Sequence, residues 1–115
     1  MAPPVTFVHA GDMVDYTPLA DVAAGDVVVQ VDLVGVAGRS IVAAEKGALA
    51  VSGVFDFPKT GGSGGSEIPV GTKLYWDASG QVVTATIGSP ALPYLGKAVE
   101  TAEADAVTVR VRLSQ

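Results

Sequence analysis

The chain holds a single histidine, His9, and no cysteine. A catalytic triad or dyad needs a base within hydrogen-bond reach of its nucleophile, so His9 is the only imidazole available, and a thiolate nucleophile is excluded. With Asp12 and Asp15, His9 could offer an imidazole and two carboxylates to a zinc ion. The competing reading, a surface or interface histidine, is preferred because nothing else in the sequence supports a metal. Asp21 with Asp26, or Glu100 with Glu103 and Asp105, could flank a glycosidic bond as an acid and base pair. The second group could also hold calcium weakly, although no Asp-x-Asp-x-Asp-Gly loop is present. Acidic residues at turns usually cap backbone donors or face solvent, and they are read here in that way. No catalytic residue, metal ligand or cofactor is expected.

Two further segments invite a chemical reading. Residues 60–66 run Thr-Gly-Gly-Ser-Gly-Gly-Ser, but a phosphate-cradling loop needs a strand before it, a helix after it and a lysine that reaches the phosphates. None of these accompanies it, and the composition predicts a mobile surface loop. Gly96-Lys97 is followed by Ala98 where Ser or Thr is needed, and Ala91 stands where the first glycine of such a loop belongs. Tyr75 and Trp76 could stack on a sugar ring, which would make the chain a carbohydrate-binding β module. Strand alternation lets only one of them point inward, and the sole tryptophan is better placed as a core or subunit-interface anchor.

The elements that must carry these residues follow from composition. Of 115 residues, 49% are hydrophobic and only 6% aromatic, so one domain must be built around small aliphatic side chains. Valine is the commonest of these, and its branched Cβ favours strands over helices. Such a core gains little per residue, which makes oligomerisation a natural supplement. A net charge of −5 with seven scattered Lys and Arg residues argues against nucleic acid as a partner. No apolar run is long enough to span a bilayer, and no signal peptide is recognisable, so a soluble protein without a membrane partner is expected.

Along the chain, residues 5–16 mix apolar and polar positions around Gly11-Asp12 and predict two short strands or an extended N-terminal arm. Residues 17–115 are read as the domain proper. Residues 27–34, whose first half is apolar on both faces, predict one central strand, buried on both faces or covered by a neighbouring subunit. A short strand is expected at 40–44, and Leu49, Val51, Phe55 and Phe57 are expected on one face of a single strand with a bulge at Gly53. Residues 73–76 and 81–86 form a predicted hairpin around the turn Asp77-Ala78-Ser79-Gly80. At 107–113, Val107, Val109, Val111 and Leu113 alternate with polar residues, the clearest amphipathic strand in the chain. Leu33-Val34-Gly35-Val36-Ala37 echoes Tyr94-Leu95-Gly96-Lys97-Ala98, through either a duplicated barrel or coincidence in an Ala- and Val-rich sequence. The fold class is all-β: a small single-domain barrel or sandwich with short strands.

Six segments, taken in order, resemble the capsid cement, or head decoration, proteins of tailed bacteriophages, some of which carry a mistaken recombinase label. They are Val14-Asp15-Tyr16-Thr17, Ala24-Gly25-Asp26-Val27-Val28, Leu33 to Ala37, Gly53-Val54-Phe55-Asp56-Phe57-Pro58-Lys59, Gly71-Thr72-Lys73-Leu74-Tyr75-Trp76-Asp77, and the strand at 107–113. The resemblance implies a non-enzymatic binding protein, made in the bacterial host cytoplasm and seated on the capsid exterior of the virion. Its partner would be the major capsid protein and its own state a homotrimer, at threefold or quasi-threefold positions of the shell. Contacts are expected from the arm and barrel edges, with Val5, Phe7, Val8, His9 and Tyr16 as candidate capsid-binding residues. Trp76 and Tyr75 are candidates for an oligomer interface or core anchor.

Overall fold

The computed structural model describes residues 11–61, 65–88 and 91–115. In these, nine strands and no helix form: β1 (Met13–Tyr16), β2 (Val27–Gln30), β3 (Leu33–Ala37), β4 (Gly47–Ala50), β5 (Gly53–Pro58), β6 (Lys73–Asp77), β7 (Val82–Thr84), β8 (Tyr94–Ala98) and β9 (Thr108–Leu113). They make two antiparallel sheets, ordered β1-β4-β3-β2 and β5-β9-β8-β6-β7. The all-β expectation holds, and neither sheet closes into a barrel.

β9 shows how the sequence pattern becomes a core. Val109, Val111 and Leu113 are buried while Thr108, Arg110 and Arg112 are exposed, as period-two side-chain direction requires. β5 lies on one side of β9 and β8 on the other, so the buried row continues into Phe57, Ala98 and Leu95. Leu74, Trp76 and Val83 complete it from the β6–β7 hairpin, and Val34 and Val36 join it from the other sheet. A smaller cluster of Ala37, Ile41 and Leu49 is lined by Val14, Tyr16, Val22 and Val28. The C-terminal Gln115 ties the sheets together: its amide accepts from the Val34 N–H at 2.6 Å and donates to the Val34 carbonyl at 2.7 Å.

Three strand expectations are corrected. The run at 27–34 is not one central strand but a hairpin, with Gln30 opposite Leu33 and Val31-Asp32 as its two-residue turn. β2 is consequently an edge strand, and Val29, Val31 and Leu33 are 36%, 92% and 38% exposed. A valine-rich run conceals its own turn, here opened by a valine at φ 59° where glycine or asparagine would have announced it. Residues 40–44 form no strand; Ile41 makes only an isolated bridge to Val22. Leu49 and Phe57 do not share a strand, because the chain changes sheets at Ser52-Gly53, where Gly53 has φ 122°.

The echo between residues 33–37 and 94–98 has a structural counterpart. In β3 the Ala37 carbonyl accepts from the Gly25 N–H at 2.6 Å, and in β8 the Ala98 carbonyl accepts from the Gly71 N–H at 2.8 Å. Both glycines sit at φ near 90° (91° and 90°), which side-chain-bearing residues rarely adopt. The Val22–Ile41 bridge flanks the first pair and the Ile68–Ala102 bridge the second. Strand order β1-β4-β3-β2 reappears as β5-β9-β8-β6, with β7 added at the end. One four-stranded unit is used twice. By this correspondence Val36 matches Lys97, and the two differ in environment: Val36 is buried in the main core, whereas Lys97 is exposed.

Candidate functional site

Strand register assembles a row of cations from distant parts of the sequence. On the outer face of the five-stranded sheet, Lys73 of β6 lies opposite Lys97 of β8, which lies opposite Arg112 of β9, with Val54 of β5 beyond it. All four are exposed. With strands about 4.8 Å apart, the three charges span about 10 Å. Beside them Tyr75 and Tyr94 pair edge to face, ring centroids 5.9 Å apart. A cleft of about 140 Å³ is lined by Tyr94, Lys97, Arg112 and Ser114. Among the described residues no carboxylate forms an ion pair with Lys73, Lys97 or Arg112. Like charges directly opposite on neighbouring strands destabilise a sheet, so the row opposes folding.

Arg110, on the same strand and face, is paired. Its Nε donates to Asp56 at 3.0 Å and its Nη1 to Glu100 at 2.7 Å. The Asp56–Arg110 hydrogen bond holds the Asp56 carboxyl below its ordinary 3.8; desolvation opposes it, and the guanidinium charge adds a lesser lowering. Arg110 is in turn raised, chiefly by its hydrogen bond to Asp56.

Lys59 is the one buried charged residue among those described, 5% exposed. Its ammonium donates to four backbone carbonyls: Thr60 at 3.0 Å, Glu103 at 3.1 Å, Ala104 at 3.3 Å and Ala106 at 3.0 Å. Burying that charge is tolerable because every donor finds an acceptor. The ends of the Gly/Ser stretch pack on the same turn, where a Cβ at Gly61 would lie 2.8 Å from the Ala106 carbonyl oxygen. Residues 62–64 of that stretch, and with them the core of the mobile-loop reading, lie outside the described residues.

The other sequence candidates do not converge on one centre. Asp21 accepts from the Ala43 N–H at 2.8 Å and Asp26 from the Ala23 N–H at 3.0 Å, both as turn caps. Asp12 accepts from the Ser52 hydroxyl, and Asp15 pairs with Lys46 at 3.1 Å on the surface. No group of three or more His, Asp or Glu residues able to hold a metal occurs among the described residues. Val5, Phe7, Val8 and His9 lie outside the described residues. Tyr16 ends β1, half-buried against the smaller core, so Met13–Tyr16 is part of the four-stranded sheet. Trp76 is 2% exposed and packs edge-on to Phe57, centroids 6.1 Å apart, and so offers no stacking platform. Tyr75 points to the opposite, outer face. Among the described residues no helix is long and apolar enough to cross a membrane.

The structure thus presents outward-facing surfaces and shallow clefts, with no convergent catalytic group among the described residues. A family model described as phage cement protein matches residues 8–113. The chain belongs to the phage cement protein family. The match takes in both four-stranded units, so the whole duplicated fold is the cement protein's body. No curated protein and no solved structure matches the chain. Sequence inspection passed over the cation row because Lys73, Lys97 and Arg112 are far apart in the chain; only the register of β6, β8 and β9 aligns them.

Proposed function

We propose that this cement protein binds the outer surface of a tailed-phage head and stabilises the shell without turning over any substrate. The observation that carries this reading is membership of the cement family across residues 8–113. Its partner is the major capsid protein, and its working form is a homotrimer. Binding raises shell stability by mass action, because the ligand has affinity for the assembled shell and little for its dissociated subunits. A trimer that touches several shell subunits at once turns weak single contacts into strong overall attachment, provided the geometry lets them engage together. The N-terminal arm, with Val5, Phe7, Val8 and His9, supplies contacts by adding to an exposed sheet edge of the partner, while Tyr16 stays in the chain's own four-stranded sheet.

Cosedimentation with mature heads tests this directly. The full chain is expected to pellet with heads and to saturate. A chain lacking residues 2–12 should remain folded and stay in the supernatant. Absence of the full chain from the pellet at every salt and maturation state would defeat the reading; undiminished binding of the shortened chain would remove the arm from it.

A further inference from the structure

We propose that the row Lys73–Lys97–Arg112, with the Tyr75–Tyr94 pair beside it, is a docking face for a carboxylate-bearing surface on the phage shell. The inference rests on the capsid-binding reading above and names the chemistry of one contact.

Two independent observations support it. The first is electrostatic: in a chain of net charge −5, three of seven cations stand side by side on adjacent strands, and none is ion-paired among the described residues. Arg110, one step along the same face, is by contrast held between Asp56 and Glu100. Carboxylates were therefore available to this sheet and are not placed on the row. An opposing acidic surface would relieve the repulsion within the row when it binds, so the gain is realised only in the complex.

The second is the internal duplication. The row Val54–Arg112–Lys97–Lys73 corresponds to Met13–Ala50–Val36–Val27 in the N-terminal unit, which has the same cross-strand register. There the face is used for packing: Val36 is a member of the main core and Val27 packs against it. Among the described residues the same face of the C-terminal unit is left open, and it carries three cations where its counterpart carries two valines and an alanine. It is a packing face re-coded for a charged partner. Protein carboxylates fit better than nucleic acid, because three charges over about 10 Å match a local acidic patch and are too few to follow a tract of phosphates. The half-buried tyrosines add rigid apolar area with polar tips, as protein interfaces favour.

The test uses the full chain and a variant with Lys73→Gln, Lys97→Gln and Arg112→Gln, with the single Lys97→Gln variant alongside. Three quantities are compared: binding to mature heads at low and high NaCl, binding to poly-L-glutamate by calorimetry, and thermal unfolding. The wild type should bind heads more weakly as salt rises. The triple variant should bind at least about tenfold more weakly at low salt, lose its salt dependence and fail to bind poly-L-glutamate. Its unfolding temperature should equal or exceed the wild type's, since repulsion is removed; a merely structural row would show a fall. If the triple variant proves unstable, the single variant must still show weaker, less salt-sensitive binding at unchanged stability.

Head binding by the triple variant equal to that of the wild type overturns the inference. So does a salt-sensitive oligomer, formed without heads and lost in the variant, which would assign the row to a second copy of the chain. Preference for single-stranded DNA over poly-L-glutamate also overturns it. A wild type that binds poly-L-glutamate through the row yet ignores heads removes the shell as partner and leaves the acidic chemistry standing.

Discussion

Arg110 and Lys59 show two ways in which this small domain handles charge. Arg110 sits on the surface between Asp56 and Glu100, a solvent-screened pair of contacts that contributes little to overall stability but fixes side-chain positions. Because its folded pKa is depressed, Asp56 favours the native state above its unfolded pKa, and that contribution disappears as pH falls through the folded value. An NMR titration should give Asp56 a midpoint below 3.8 that rises toward the ordinary carboxylate value in Arg110→Gln; an unmoved midpoint would show that the hydrogen bond is not its cause. Lys59 is different because its ammonium closes a cage of four carbonyls. Lys59→Met should cost about 2–4 kcal/mol by urea denaturation, since the carbonyls lose their common donor. Lys46→Met, which removes only an exposed pair with Asp15, should cost less than about 1 kcal/mol. Equal losses in the two would contradict the cage's role.

Elements were legible wherever the period-two pattern was uninterrupted, and obscured where a turn lay inside a valine-rich run or at a lone glycine between two apolar segments. The strand expected at 107–113, found at Thr108–Leu113 with Val107 exposed before it, and the hairpin around residues 77–80 could be read because apolar alternation in one, and Asp, Ser and Gly at the turn in the other, mark them locally. The hairpin of β2 and β3 could not, since Val31 occupies its turn at φ 59° with 92% exposure. A β-branched residue in that region is strained. Val31→Asn should therefore raise stability by about 0.5–1 kcal/mol, measured by thermal or urea unfolding, with no packing lost at so exposed a site. A loss would mean that Val31 makes a compensating contact. The break between β4 and β5 was hidden for a related reason: Gly53 looks like a bulge in one strand, and only the two-sheet topology shows it to be a crossover. The cation row lies beyond any local pattern, because it depends on which strands become neighbours.

At the scale of the whole molecule, the twice-used four-stranded unit explains how a chain with few aromatic residues makes a usable core. The N-terminal sheet lends Val34 and Val36 to the C-terminal unit's core, and Gln115 fastens the join at the Val34 backbone. Each unit alone would bury too little apolar surface to offset its conformational entropy. Among the described residues the same arrangement leaves the outer face of the C-terminal sheet without a partner, and that face carries the cations. Under the proposed function the molecule's surfaces, more than any cavity, are its working parts, and they favour one state of a larger assembly by binding it.

That claim is tested most directly by heating undecorated mature heads with increasing amounts of the purified protein and following head disruption. The account predicts that the disruption temperature rises with protein added and levels off when the binding sites are filled. Heads that bind the protein to saturation yet come apart at an unchanged temperature would contradict it.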